Sequence, residues 1–221
     1  MHDSDLQLKK SHARRLANQW GFSLADALVG TALGLTTMAA VLGLYRVQLY
    51  GLRGHTLQTD VQSTARSIVN LMVGEIRRAG ADPKCAKTFE GVAEAKRDRL
   101  RLLSDLNGSG AIDLPGEDVT YSQSSEGVLS RTTAGTTEYL SDATVRVTNL
   151  QFRYFDGSGN ELDPGSNGLN ATQRGQIRRI VVRIGVQRSA IDPTSQQPLT
   201  ATVSSGADLR NRFFVNQVGC S

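Results

Sequence analysis

The sequence has very few of the side chains on which most enzyme mechanisms and metal sites depend. Its 221 residues include three histidines, His2, His12 and His55, and two cysteines, Cys85 and Cys220. All three histidines precede the segment predicted to form a globular head. This excludes a Ser-His-Asp, a Cys-His or a His-ligated metal mechanism in that head. The two cysteines have no neighbouring partner for a zinc site of standard spacing.

Other signatures of catalysis or nucleic-acid binding are also missing. The formal net charge is +4, and part of it lies before residue 21, so the rest of the chain is nearly balanced. Arg77-Arg78 and Arg178-Arg179 lack an interleaved aromatic residue and are interpreted as solvated positions. The glycines occur in turn-like contexts rather than in a phosphate-binding loop. The candidates for an acid/base pair are Asp113, Glu117, Asp118 and Glu138. Such neighbours arise by chance among 21 acidic residues, so we predict no enzyme activity, no small-molecule substrate and no nucleic-acid partner.

A long apolar run occurs once, from Phe22 to Tyr45. As a helix it reaches roughly 36 Å, enough to cross a hydrocarbon core of about 30 Å. Basic residues at 9, 10, 14 and 15 precede it. They favour a cytoplasmic N-terminus and a single pass through a membrane, with the rest of the chain on the other side. A conventional secretory signal would have a shorter apolar region followed by a cleavage site, and here helix-compatible sequence continues.

The start of this run carries a processing motif. Gly21-Phe22-Ser23-Leu24-Ala25-Asp26 resembles the motif of type IV prepilins, in which Gly, Phe and a small-Leu-x-acid sequence open an apolar helix. The resemblance implies that a prepilin peptidase cuts after Gly21 and that Phe22 is then N-methylated. Residues 1–21 would be the leader. The acidic residue at the fifth mature position is usually Glu in this family, and Asp26 keeps the charge with a shorter side chain.

Asp26 is the candidate residue for subunit assembly. A carboxylate within a membrane helix costs about 2.5–3.5 kcal/mol at the bilayer centre on insertion scales unless it is paired. The resemblance implies that the partner is the free amino group of Phe22 on a neighbouring subunit. The alternative is that Asp26 reaches the nearby cytoplasmic interface and has no specific partner.

The helix is predicted to continue beyond the membrane. Apolar residues recur at spacings of three and four along one face. They are Leu57, Val61, Ala65, Ile68, Met72 and Ile76. Gly80-Ala81-Asp82-Pro83 is a strong stop signal. A single helix over residues 22–79 would be about 85 Å long, with a transmembrane part over 22–45 and an amphipathic part over 46–80.

Residues 81–221 are predicted to form a β-rich head, because the apolar period changes to two. The predicted strands are 99–103, a hairpin of 118–122 with 127–131, and two longer strands over 145–155 and 176–188, with a loop over 193–198. The predicted fold class is α+β, with a mostly antiparallel sheet packed against the second half of the long helix. This layout is pilin-like. Four short segments resemble PilW-type minor pilins and, more loosely, large type II secretion pseudopilins. They are 75–80, 152–156, 181–184 and 209–212.

Two further sites are predicted in the head. If the head is exported, a structural disulfide between Cys85 and Cys220 is the natural interpretation, and two unpaired thiols are the alternative.

Residues 105–113 match the first nine positions of a calcium loop. The oxygen ligands would come from Asp105, Asn107, Ser109, Ala111 and Asp113, with Glu117 one place late for the closing carboxylate. A plain Asx/Gly turn explains the same residues, and both interpretations stay open.

The sequence therefore predicts a minor pilin or pseudopilin that takes part in priming or capping a type IV pilus or a type II secretion pseudopilus. Its partners would be other pilin subunits, the prepilin peptidase and the inner membrane, and it would finally reach the pilus or cell surface. The main alternative is an exported binding or adhesin domain that is anchored by its signal and never assembles. A membrane-anchored hydrolase is disfavoured because the head lacks histidine.

Overall fold

The computed structural model describes residues 23–85, 88–142, 144–192 and 195–211. The chain divides into two compact units, 1–50 and 51–221. The predicted leader, residues 1–21, lies outside the described residues. The division falls inside the long helix, so each unit contains part of that element.

The long helix α1 spans Leu24–Arg78. Within the described residues it is the one helix long and apolar enough to cross a membrane by length and composition. It ends where Gly80 adopts a φ of 76°, a left-handed conformation that glycine adopts readily at a helix C-terminus. The Gly80 N–H donates to the Leu103 carbonyl at 2.8 Å, which joins the helix end to the head. The predicted long helix is confirmed, and its bounds differ from the prediction by one or two residues.

The head contains two antiparallel sheets. The first is a five-stranded meander of β1 (Val92–Ala95), β2 (Arg99–Leu103), β3 (Asp118–Gln123), β4 (Leu129–Thr133) and β5 (Thr136–Tyr139). The second has the order β7-β6-β8-β9 and consists of β6 (Val145–Phe155), β7 (Glu161–Leu162), β8 (Arg179–Ile191) and β9 (Pro198–Asp208). A short helix α2, Ala171–Gln176, precedes β8 and begins with a capping box formed by Asn170 and Gln173.

One hydrophobic core joins the second part of α1 to both sheets. The helix contributes its buried stripe, which includes Val61, Ala65, Ile68, Met72 and Ile76. The sheets contribute alternate residues, as expected where one face of each sheet is buried. The largest of these side chains are Leu100, Tyr121, Phe152, Tyr154 and Ile184. The buried stripe predicted from the apolar spacing is confirmed over these helix positions.

The predicted α+β class is confirmed, and the structure changes some of its details. The head has two sheets where one was predicted. The strand predicted from residue 176 begins at Arg179, because residues 171–176 form α2. The strands β1, β5, β7 and β9 were not predicted. The β9 segment has few large apolar residues and includes Ala and Gly, which are depleted in strands, and it is held by an extended ladder with β8.

Candidate functional site

The described part of the processing motif forms the first turn of α1. Gly21 and Phe22 lie outside the described residues, so cleavage and methylation stay predictions. Oδ2 of Asp26 accepts a hydrogen bond from the Ser23 N–H at 3.2 Å, and Oγ of Ser23 accepts one from the Ala25 N–H at 3.3 Å. This resembles a capping box, and a carboxylate is favoured there by the helix dipole. In the single chain, the carboxylate of Asp26 therefore has a local role.

The first part of α1 is apolar and exposed. Its large apolar residues, each about half exposed or more, are Leu24, Leu28, Val29, Leu33, Leu35, Met38, Val41, Leu42, Leu44, Tyr45, Val47 and Tyr50. The hydroxyls of Thr31, Thr36 and Thr37 donate to helix carbonyls at 2.9–3.0 Å. The polar side-chain groups here are thus satisfied within the helix, as an apolar environment requires.

A buried charged cluster joins the end of α1 to the five-stranded sheet. Glu75 has a side chain that is 4% exposed, and Arg131 one that is 13% exposed. Oε1 of Glu75 accepts hydrogen bonds from Nη2 and Nε of Arg131 at 2.7 and 3.1 Å. The Tyr121 hydroxyl donates to Oε2. Arg131 also donates to Glu138 on the exposed edge strand at 3.0 Å. We call these four residues the Glu75 cluster.

The sheet register explains how these residues meet. Tyr121 and Arg131 are directly paired across β3 and β4, and Arg131 is paired with Glu138 across β4 and β5. Side chains paired in this way lie on the same face of a sheet. Burial, with the charge of Glu75, raises the pKa of Tyr121 above its ordinary value. The hydrogen bond to Glu75 raises the pKa of Arg131. In the Glu75 cluster, a neutral phenol and a charged guanidinium therefore surround the Glu75 carboxylate, and the same guanidinium also pairs with Glu138.

The predicted calcium loop is built around two carboxylates that accept backbone hydrogen bonds. Oδ1 of Asp105 accepts from the N–H groups of Gly108 and Ser109 at 2.7 and 3.1 Å. Its Oδ2 accepts from Gly110 at 2.8 Å. The Asn107 amide donates to Oδ1 of Asp113 at 3.0 Å. The Ser109 hydroxyl and the Ala111 backbone bond to each other at 3.2–3.3 Å.

Glu117 is fully buried at the end of this loop. Its Oε1 accepts from the N–H groups of Leu106 and Asn107 at 2.9 and 3.3 Å. Its Oε2 accepts from Asp113 and Leu114, both at 2.8 Å. Burial opposes the charge, but the four backbone donors outweigh it and lower the pKa of Glu117 to about 2. The structure thus brings the six predicted ligands into one loop, with both oxygens of Asp105 and of Glu117 already hydrogen-bonded.

Calcium binding and the disulfide both stay predictions. Among the described residues, no group of three or more His, Cys, Asp or Glu side chains is arranged to hold a metal ion. Cys85 lies in the loop after α1, where its N–H donates to the Asp82 carbonyl at 3.0 Å. Cys220 lies outside the described residues.

The carboxylates considered for acid/base chemistry have structural partners. Asp118 forms a bidentate pair with Arg101, at 2.9 and 2.7 Å. Glu138 pairs with Arg131, while Asp113 and Glu117 belong to the loop described above. The Glu75 cluster was not predicted from the sequence, although Glu75 lies three residues after Met72 on the apolar stripe. The sequence signal that could have indicated the cluster is an acidic residue, Glu75, at a position that the apolar spacing places on the buried face of the helix.

The long helix and the antiparallel sheets define a pilin-like α+β protein. Residues 55–205, more than half of the chain, match the family described as prepilin peptidase-dependent protein B. The chain belongs to this family. The match begins at residue 55, so the N-terminal motif lies outside it. Family membership indicates a structural protein, and together with the apolar helix it indicates a membrane-anchored, pilus-associated one.

The other comparisons add little detail. A type IV-like pilin from Thermus thermophilus is similar in structure, with 10% sequence identity and a TM-score of 0.43. The similarity covers 68% of this chain and 97% of the Thermus chain. No curated protein matches the sequence.

Proposed function

We propose that this chain is a minor pilin or pseudopilin. It is held in the inner membrane by the first part of α1, with a cytoplasmic N-terminus and a periplasmic head. It then takes part in priming or capping a type IV pilus or a type II secretion pseudopilus, without enzyme activity of its own. The observation that carries the proposal is the change along α1, from an exposed apolar surface to a stripe buried in the head.

The exposed apolar surface needs a covering in the cell. Fully burying one Leu, Val or Met side chain stabilises by about 1.5–3 kcal/mol, and α1 exposes a dozen large apolar side chains before residue 51. A water-exposed helix with such a surface would aggregate. A membrane covers it first, and neighbouring helices cover it after assembly, with no change in the fold of the head.

Asp26 supports assembly through its place in the first turn of α1. Cleavage after Gly21 creates a positively charged amino group at Phe22, next to the positive end of the helix dipole, which is unfavourable. A carboxylate from a neighbouring subunit would neutralise that amino group. The bond from Ser23 to Asp26 uses one carboxylate oxygen, which leaves the other oxygen for this second donor.

Processing tests the proposal directly. The intact mass and N-terminal sequence should be measured on protein from membranes, with and without a prepilin peptidase. The expected product begins at a methylated Phe22 only when the enzyme is present. A chain that keeps Met1, or one that begins near Val41, contradicts the proposal and favours the anchored binding or adhesin domain.

Assembly is tested by substitutions at Asp26. Asp26→Ala should insert in the membrane but be lost from filaments, and Asp26→Glu should restore incorporation because it keeps the charge. Ser23→Ala is the matched control, since it removes the Oγ acceptor of the helix cap and leaves the carboxylate. Equal incorporation of Asp26→Ala and wild type, measured by immunoblotting of sheared filaments, contradicts the assembly role.

A further inference from the structure

A cleft lies at one end of the four-stranded sheet. It has a volume of about 750 Å³. Phe155, Arg179 and Asp208 are paired side by side across β6, β8 and β9 at this end. Ile180, the next residue of β8, is buried. Successive side chains of a strand point to opposite faces of the sheet, so Arg179 and the residues paired with it lie on the outer face. Arg210 follows β9 and completes the basic side of the cleft.

The guanidinium of Arg179 lies close to Gly206 of β9. A Cβ at Gly206 would lie 3.2 Å from Nε and 3.3 Å from Nη2 of Arg179. These contacts are tighter than ordinary van der Waals packing, so the guanidinium of Arg179 occupies the space that a side chain at Gly206 would need. The same Cβ would lie 3.2 Å from Cγ2 of Val181. A side chain at Gly206 would therefore crowd both the guanidinium of Arg179 and the Cγ2 methyl of Val181.

Two guanidinium groups in the cleft are available to a ligand. Arg179 and Arg210 are exposed, and neither side chain forms a salt bridge or a hydrogen bond within the described part of the chain. Arg178 differs, because its Nη1 donates to the carbonyls of Gly175 and Ile177, both at 3.0 Å. Arginine forms bidentate hydrogen bonds to carboxylates and other oxyanions. The cleft thus presents two uncommitted oxyanion donors.

The remaining lining sets the ligand chemistry. Asp156 uses its carboxylate within its own turn, accepting from Ser158 and Asn160 at 2.8–3.0 Å. Three arginines against two aspartates, Asp156 and Asp208, leave one positive charge on the lining. Phe155 and Val181 add a half-buried apolar floor, and the guanidinium of Arg153 lies over the Phe155 ring, 5.2 Å from its centre. A polyphosphate would be repelled by the carboxylates of Asp156 and Asp208, and one net positive charge is too little to balance it. A single carboxylate beside an apolar side chain matches both the charge and the floor.

We propose that this cleft binds an acidic and partly apolar peptide segment of a partner protein. A carboxylate of the segment pairs with the guanidinium groups of Arg179 and Arg210, and an apolar side chain packs on Phe155 and Val181. This goes beyond the proposed function, because the cleft would recognise such a segment whether or not the chain is incorporated in a filament.

The test uses the full chain in detergent micelles and NMR signals of the arginine Nε–H groups. The probe is the end-blocked tetrapeptide Leu-Glu-Leu-Glu, and its uncharged control is Leu-Gln-Leu-Gln. We expect millimolar Leu-Glu-Leu-Glu to shift the Arg179 signal. Leu-Gln-Leu-Gln should bind about two- to fivefold more weakly, since an ion pair between exposed groups contributes about 0.2–1 kcal/mol.

Variants of the cleft complete the test. Arg179→Gln should weaken Leu-Glu-Leu-Glu binding about two- to fivefold, and Gly206→Ala should weaken it by displacing the guanidinium. Arg146→Gln, at an exposed arginine of β6 outside the cleft, is the matched control and should bind like wild type. The proposal is overturned if no signal shifts with millimolar peptide, or if the Gln peptide binds equally well. It is also overturned if inorganic phosphate binds as tightly as the peptide, or if Arg179→Gln binds like wild type.

Discussion

Two glutamates are buried in the described part of the chain, Glu75 near the end of α1 and Glu117 in the head, and they are satisfied in opposite ways. Glu75 is bonded to side chains of residues far away in the sequence, Tyr121 and Arg131, and so joins α1 to the five-stranded sheet. Glu117 is bonded to four backbone N–H groups within eleven residues of it, and so fixes the shape of one loop. The same side chain thus serves tertiary docking at one position and local loop structure at the other.

The difference lies in what neutralises each charge. A buried carboxylate with a charged partner leaves a second charge behind when it is removed, and that uncompensated charge is costly. A carboxylate bonded to backbone amides leaves only neutral donors, which cost less to expose or leave unpaired. The comparison therefore predicts a larger and more distant effect from Glu75 than from Glu117.

Glu75→Gln should have the largest effect on stability. The substitution removes the negative charge opposite the nearly buried Arg131 and should lower the free energy of unfolding by about 3–5 kcal/mol. Urea unfolding of the full chain in detergent, followed by near-UV circular dichroism, measures this loss. Replacing all the buried partners, as in Glu75→Leu with Arg131→Met and Tyr121→Phe, should recover much of it because no buried charge and no unpaired hydroxyl remain.

The matched control for this prediction is Glu138→Gln. Glu138 bonds to the same arginine, but its side chain is 59% exposed, so its loss should cost less than about 1 kcal/mol. If Glu75→Gln is no more destabilising than Glu138→Gln, the Glu75 cluster does not anchor the helix to the head.

Glu117→Gln should have an intermediate effect. The amide keeps one oxygen acceptor but turns an NH₂ group toward two backbone N–H donors. We expect a loss of about 1–3 kcal/mol for the unpaired groups. Hydrogen exchange should show faster exchange of the amides at 106, 107, 113 and 114, with slow exchange kept in the core strands. Equal loosening of the whole head would contradict a local role.

Lowering the pH should reduce the contribution of the Glu117 charge to the stability of the fold. The pKa of Glu117 is about 2 in the fold against an ordinary value of 4.5. A lowered pKa means that the ionised group stabilises the fold above about pH 4.5, and that this contribution is lost as the pH falls toward 2. The difference in unfolding free energy between wild type and Glu117→Gln should therefore shrink over this range. A constant difference would show that the charge of Glu117 does not contribute.

Much of the fold could be predicted because its elements have regular apolar periods. The helix stripe and the strands β2, β3, β6 and most of β8 follow directly from spacings of 3.6 and 2. The strand β9 could not be predicted in this way, because residues 200–206 are Thr, Ala, Val, Ser and Gly. Its conformation depends on pairing with β8, and this long-range partner is not visible in local sequence.

The candidate sites also differ in whether they depend on local sequence or on residues that are distant in the sequence. The loop 105–117 could be located from its Asx and Gly pattern, which acts within a few residues. The Glu75 cluster depends on the register of three strands and on the docking of a helix 46 residues before Tyr121. The cleft around Arg179 depends on Gly206 in the adjacent strand. Sequence patterns indicated the local sites, and tertiary register created the other two.

Calcium binding to the loop is the smallest effect that we predict, and the structure sharpens its test. Oδ2 of Asp113 accepts no hydrogen bond within the described residues, whereas both oxygens of Asp105 accept backbone bonds. Asp113→Asn should therefore abolish calcium binding without loosening the loop. Asp105→Asn should loosen the loop even when a chelator is present.

The size of the calcium effect follows from mass action. With calcium equal to its dissociation constant, binding stabilises the fold by about 0.4 kcal/mol. Isothermal titration of the full chain with millimolar calcium should give heat in wild type and none in Asp113→Asn. No heat in wild type, together with an unchanged melting temperature on adding chelator, would leave the loop as a turn held by Asp105 and Glu117 alone. Every acidic residue of that loop would then act through local hydrogen bonds, whereas Glu75 acts through residues distant in the sequence.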